Sequence, residues 1–477
     1  MKKKLIYTLS ALIFIGIAGC KKLEDFGETN DNPAATTKAN SAALLTNSLQ
    51  TLASMATERT QGWYAQYFSE TQYSSLSLYA ANAPAFTGTY SGPLYDLQNI
   101  QLENTSNNMN QVAKIVQQYI FWNLTDRFGD IPYSQSLKGL EFPTPKYDTQ
   151  EEIYKGILTT LTTSVAAMDG SVIAGDIVYG NNAASWKRFA NSLRMLVSLQ
   201  LSKRYPSATG YAATEFKAAL SDANGYITTN DQNCKLVFTK DYQNEIWKWY
   251  NGRKDDAESK TMTDLLTSLG DSRINPFGGS SEVVGANGTS SIGVPYGVVR
   301  ATAEAFTAAN PTWARVLRGD LRTDVSPVYV ITAGQVALAR AEAANLGWTT
   351  EVLATVYAQG IALSHQQWGL SAPDATYLAN ASVAVGAVGA ANNIRNISVQ
   401  RYIASYPDGH QGWNIWRKTG FPTLTPAPDA VNSSKQIPRR YMYSTTEYSN
   451  NGVNVREAVA RLAGGDTMDA RIWWDQN

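Results

Sequence analysis

The chain has 477 residues, 40 Lys and Arg against 40 Asp and Glu, 44% hydrophobic residues, and only two cysteines and two histidines. Those counts exclude a disulfide scaffold, a cysteine-rich zinc module and a histidine-built metal centre, so neither a metal nor a cofactor is expected. Zero formal charge gives no pull on nucleic-acid phosphates, which removes nucleic acid as a partner, while the apolar content is ample for a large core.

In chain order, the first element reads as an export signal. Lys2, Lys3 and Lys4 precede an apolar run from Leu5 to Ala18, shorter than the roughly 20 residues a membrane-spanning helix needs. Ala18 and Gly19 directly before Cys20 look like the lipobox of bacterial lipoproteins, in which the cysteine thiol is acylated and becomes the new N-terminus. The domains expected are therefore a signal peptide over 1–19, a lipidated Cys20 with a polar tether to residue 40, and one folded body over 41–477. Cleavage before Cys20 removes three lysines and leaves a formal charge of −3. Cys234 is then the one free thiol, expected to be buried packing.

The body reads as mainly helical. Ile153, Ile157, Leu158, Leu161, Val165 and Met168 recur at helical spacing, with Asp148 and Glu151 at capping-box spacing and Gly170 as the stop. A second helix from about Ala184 to Lys203 places Trp186, Phe189, Leu193 and Leu201 on one face and Lys187, Arg188, Asn191 and Arg194 on the other, with Pro206 ending it. Residues 334–369 read as a helix hairpin turning at Gly347-Trp348, rich in small residues. A last helix is expected to start with an Asn454–Glu457 capping box and to stop at Gly464. Helix pairs of this length are how tetratricopeptide arrays are built, although no clean 34-residue repeat is visible. The Gly-, Ser- and Ala-rich stretches 278–297 and 379–391 read as long loops.

No nucleophile elbow, phosphate loop or dinucleotide fingerprint is present. His365 and His410 stand 45 residues apart without a metal-binding pattern and read as surface or packing residues. Asp222-Ala223-Asn224-Gly225 lacks the positions of a calcium loop. No catalytic residue is therefore assigned. What stands out is Trp and Tyr in segments that read as loops or helix ends: Tyr73, Tyr79 and Tyr90 within 63–95, then Trp247, Trp249 and Tyr250, then Tyr296 and Trp313. Flat rings among hydroxyl and amide groups match the apolar faces and hydroxyl rims of sugars, and these eight are the candidate ligand contacts; core packing is the competing reading for each.

Several segments together resemble the SusD/RagB-like nutrient-binding outer-membrane lipoproteins of Bacteroidetes, in particular the second SusD-like subgroup. They are Thr125-Asp126-Arg127-Phe128-Gly129-Asp130-Ile131-Pro132-Tyr133, Pro145-Lys146-Tyr147-Asp148, Trp186-Lys187-Arg188-Phe189, Gly270-Asp271-Ser272-Arg273, Ala341-Glu342-Ala343-Ala344, Trp416-Arg417-Lys418-Thr419-Gly420-Phe421-Pro422, Ile437-Pro438-Arg439-Arg440 and Trp473-Trp474-Asp475. Ser272 departs from the family's usual proline, and Gln335 from its usual acidic residue. The resemblance implies a mainly α fold: a single SusD-like domain of four degenerate tetratricopeptide-like helix pairs, with long loops and few short strands. It further implies lipid anchoring on the outer face of the outer membrane and a SusC-like TonB-dependent transporter as partner, which such proteins cover like a lid. Capture of an oligosaccharide without chemistry follows from that reading. The alternatives are peptide uptake of the RagB type, a surface-anchored glycoside hydrolase using a carboxylate pair, and a purely structural lipoprotein.

Overall fold

Fifteen helices carry the described part of the chain, residues 40–475 of a computed structural model. They are α1 (Ser41–Ala56), α2 (Arg59–Tyr64), α3 (Tyr95–Glu103), α4 (Asn107–Phe128), α5 (Gln150–Ala167), α6 (Ala183–Gln200), α7 (Tyr211–Leu220) and α8 (Glu245–Tyr250). Then follow α9 (Lys260–Leu269), α10 (Arg300–Ala309), α11 (Ala333–Asn345), α12 (Leu353–Gln367), α13 (Asn393–Ser405), α14 (Gly409–Thr419) and α15 (Thr445–Ala460), with shorter helical turns between them. The expected signal peptide, Cys20 and tether, residues 1–39, lie outside the described residues.

Four helix pairs, α4/α5, α6/α7, α11/α12 and α13/α14, pack within themselves. They also pack on each other through α5 with α6, α6 with α11, and α11 with α13. Small residues let the backbones meet: a Cβ on Gly334 would stand 3.1 Å from the Ser364 nitrogen across the α11/α12 contact. At the α14/α2 crossing a Cβ on Gly409 would stand 2.1 Å from the Gly62 nitrogen, so that position requires glycine.

The sequence landmarks turn out to be the polar spine of this array. Asp126 of α4 is fully buried and receives Tyr154 and Trp474 on one oxygen (2.6 and 2.8 Å) and His410 and Asn414 on the other (2.8 and 2.5 Å). Glu342 of α11 is ion-paired with Arg401 of α13 and with Lys418 of α14 (2.5 Å), and Lys418 also donates to the Leu199 carbonyl at the end of α6. One carboxylate thus ties three helix pairs together. Asp271 and Arg273 form a buried pair, to which Gln400 and Ser364 add partners for the guanidinium and Tyr377 a donor to the carboxylate. Burial works against ionisation of Asp271, but the Arg273 guanidinium overrides it and holds the carboxyl at about 2. Buried charges are tolerated here because every partner is present.

Several boundaries differ from expectation. The capping box of α5 is Thr149 with Glu152, one residue beyond the expected pair, because Asp148 instead accepts from the Tyr133 and Ser134 backbones. Helix α6 is buried all round in its second half, Asn191 and Arg194 included, since Arg194 finds Glu215 of α7 (2.6 Å). Helix α15 starts at Ser444, ten residues before the expected cap, and breaks at Asn451 (φ −139°, ψ 37°). Gln335 forms a capping box with Thr332, so an amide does the work of the family's acid there. Both histidines are core residues, and so is Cys234.

Between the helices lie four two-stranded antiparallel ladders. They are β1 (Phe68–Glu70) with β5 (Asp256–Glu258), β2 (Ile131–Pro132) with β3 (Tyr147–Asp148), β4 (Cys234–Leu236) with β8 (Val328–Ile331), and β6 (Gly278–Gly279) with β7 (Arg315–Val316). Three of them tie the long loops of the 65–80 and 230–330 regions to one another, and β2–β3 closes the segment between α4 and α5. Among the described residues no helix is long and apolar enough to cross a membrane.

Candidate functional site

The eight candidate aromatics separate cleanly by environment. Tyr79, Trp249, Tyr250, Tyr296 and Trp313 are buried, which corrects the expectation that they form a solvent-facing platform. Each has a structural task. The Tyr79 hydroxyl accepts from the Ala427 nitrogen (2.9 Å). Trp249 meets Phe68 edge to face, with Arg59 over its ring (5.3 and 4.8 Å). The Tyr250 hydroxyl donates to the Asp256 carbonyl and accepts from the Val316 nitrogen (2.8 Å each), joining β5 to β7. Trp313 is covered by the Arg315 guanidinium at 3.7 Å. Tyr296, though buried, forms part of the wall of a cavity of about 580 Å³ between α9 and the proline-rich segment 422–428.

Three remain accessible. Tyr73 is 54% exposed, and Trp247 and Tyr90 are half-buried. Helix geometry explains the Trp247–Trp249 contrast, because residues two apart on a helix point to nearly opposite sides. Asn244 caps α8 by accepting from the Trp247 nitrogen (3.0 Å) and is itself held by donating to the Ser326 carbonyl, so the half-exposed indole sits on a fixed turn.

Tyr73 stands at the end of the β1–β5 ladder, where the Thr71 nitrogen and hydroxyl donate to the Asp255 and Lys254 carbonyls. Two guanidinium groups lie over its ring, Arg253 at 4.9 Å and Arg300 at 5.2 Å. Each arginine is more than half exposed and has one carboxylate partner, Asp255 (2.6 Å) and Glu304 (2.8 Å). A guanidinium has five N–H donors, so both retain donors for a ligand beside an aromatic ring. Tyr242, 55% exposed on the 239–242 turn before α8, adds an accessible ring that sequence reasoning missed.

Buried acids lie directly behind this face. Glu70 and Asp256 are cross-strand partners in β1 and β5. Burial pushes the Glu70 carboxyl up to about 7 and the Asp256 carboxyl up to about 6. They are covered by the ladder rather than presented to a substrate. No group of three or more metal-ligating side chains occurs among the described residues.

Residues 33–444 match the SusD-like family described as "Starch-binding associating with outer membrane", and the chain belongs to that family. Solved structures share the fold. A chitin-binding SusD homolog from Flavobacterium johnsoniae is 23% identical, with 92% of this chain and 98% of that one covered and a TM-score of 0.78. A SusD homolog from Bacteroides uniformis is 24% identical over 91% and 99% of the two chains, with a TM-score of 0.76. Another from Bacteroides thetaiotaomicron is 22% identical over 92% and 100%, also at 0.76. No curated protein matches this chain in sequence.

Proposed function

We propose that the protein is a cell-surface glycan-binding lipoprotein, acylated at Cys20, that captures an oligosaccharide on the Tyr73 loop face and passes it to a SusC-like TonB-dependent outer-membrane transporter. The observation that carries this reading is Tyr73, an exposed ring at a ladder end with the Arg253 and Arg300 guanidinium groups 4.9 and 5.2 Å from its centroid. An exposed ring with guanidinium donors beside it suits a sugar, whose faces are apolar and whose rim accepts hydrogen bonds. The chitin-binding homolog with the same fold supports a glycan as the ligand class. The acids behind the face are buried, which favours capture over hydrolysis.

Native gel retardation of the mature chain in gels containing soluble polysaccharides tests the binding step. Retardation by at least one glycan, lost in Tyr73→Ala, is the expected result; migration unchanged by every glycan contradicts it. Mass spectrometry of the N-terminus from native membranes, with the TonB-dependent barrel identified in the same purified complex, tests the anchor and the delivery step. An unmodified Cys20 thiol would remove the anchor from the account.

A further inference from the structure

A second aromatic cavity shares no lining residue with the Tyr73 face; of the candidate ligand contacts it holds Tyr90, and the proposed capture step does not use it. Its volume is about 380 Å³, within the range of small-molecule sites. Its walls come from three separate parts of the chain: Phe86, Tyr90 and Tyr95 before and in α3, Phe142 in the 137–145 loop, and Glu447 and Asn451 in α15. Tyr95 is 43% exposed, and Tyr90 and Phe142 are half-buried, so ring surface is left uncovered at the mouth. The Tyr90 hydroxyl donates to the Pro132 carbonyl at 2.5 Å, and its ring packs on Phe86 and Phe121, which fixes the wall.

The polar content of this cavity is small and placed. Glu447 is buried; its Oε2 accepts from the Tyr147 hydroxyl (2.6 Å), while Oε1 has no partner. A buried acceptor left unmade costs about 1–3 kcal/mol, and more for a charged group. Asn451 holds its place by donating to the Pro145 carbonyl (2.7 Å), and the neighbouring Asn450 is exposed at the rim.

A second, independent observation concerns the backbone. Residues Tyr90–Leu94 form a π-helical turn containing Gly92 at φ −101°, ψ −111°. Leu137 adopts a left-handed φ of 64°, which a branched side chain rarely does. Asn451 breaks α15. Departures of these kinds concentrate at ligand sites, and here the residues of all three border one cavity.

We propose that this cavity is a second ligand site, taking a single saccharide ring whose apolar face lies on the Tyr90, Tyr95 and Phe142 rings and whose hydroxyl or N–H donates to Glu447. A purely apolar occupant leaves the carboxylate oxygen unpaired, and a phosphate or sulfate brings negative charge against it. A ring carrying donors satisfies both the walls and the acid. Oε1 is shielded from solvent in the empty cavity, so entry is accompanied by a small side-chain shift. The site is independent of the Tyr73 face and holds whether or not that face binds glycan.

The test is ligand-detected NMR on the mature chain (residues 20–477) with glucose, galactose and N-acetylglucosamine as probes. Saturation transfer to at least one sugar is expected in Tyr73→Ala, where the other proposed face no longer contributes, and is reduced at least fivefold when Tyr95→Ala or Glu447→Gln is added to it. Tyr95 is exposed enough that its truncation leaves the fold intact, so the result does not depend on Glu447→Gln alone. In the Tyr73→Ala protein, no transfer to any of the three sugars, or transfer that added Tyr95→Ala leaves unchanged, overturns the proposal.

Discussion

Asp126 in the helix array receives four hydrogen-bond donors, and Glu342 two cations. In the β1–β5 ladder of the loop half, three acids are buried with far less around them. Glu70 accepts from the Ser77 nitrogen, and Asp256 meets Trp63 and, at 3.3 Å, Arg59; Glu258 has no partner on either oxygen and its carboxyl is pushed well up by burial. Burial opposes ionisation of Glu342, but Lys418 and Arg401 override it and hold the carboxyl below its usual range, whereas burial pushes the three ladder acids up. The paired helices hold one acid of the ladder's kind, Asp408 at the cap of α14, which has an oxygen without a partner and is pushed up to about 8 by burial. The half that carries Tyr73 stores uncompensated groups behind its binding face, where satisfied networks would otherwise fix a single rigid arrangement.

The sharpest break of that contrast is Glu342→Ala. It strands Arg401 and Lys418 in the core, and a loss of about 3–5 kcal/mol in urea unfolding is expected. A loss below about 1 kcal/mol would mean that the spine does not tie the helix pairs together.

Glu70 gives the opposite signature. Its folded value of about 7 lies above the ordinary 4.5, so the neutral form favours the folded state. That contribution is complete below about pH 4.5 and is lost as pH rises through 7, on the order of 3 kcal/mol over the window. Glu70→Gln is expected to flatten the fall in melting temperature between pH 4.5 and 7, while Glu342 substitutions leave that slope in place. An unchanged slope in Glu70→Gln would place the titrating group elsewhere.

Gly409→Ala tests the closeness of the array itself. Its Cβ has only 2.1 Å to the Gly62 backbone, and a loss of about 1–3 kcal/mol is expected from overpacking, read by thermal unfolding. Arg300→Ala should have the smallest stability effect, leaving the melting temperature unchanged, because its pair with Glu304 is exposed. Glycan retardation should nevertheless weaken in that variant, which separates the binding face from the framework.

The helical architecture was legible because periodicity and order of landmarks report packing. Trp416 to Pro422, Ile437 to Arg440 and Trp473 to Asp475 are recognisable in sequence for the same reason that they are buried: they supply Lys418, Arg417, Arg440 and Trp474 to the spine. The proposed binding face was legible only in composition. Aromatic density flagged 63–95 and 247–250, but a Tyr with a satisfied hydroxyl, such as Tyr79 or Tyr250, has the same local sequence character as an exposed one. The two-residue spacing of Trp247 and Trp249 held the one usable signal, since a helix through both must turn one inward. Tyr95, Phe142 and Glu447 come together only through the tertiary fold, and no spacing in the chain reports it.

Isothermal titration calorimetry of the mature chain against a panel of soluble oligosaccharides, wild type beside Tyr73→Ala/Arg300→Ala, tests the central claim most directly. Measurable heat with at least one oligosaccharide, with affinity lowered at least tenfold in the double variant while its melting temperature stays unchanged, is the predicted result. Equal binding in the two proteins would contradict the assignment of capture to the Tyr73 face.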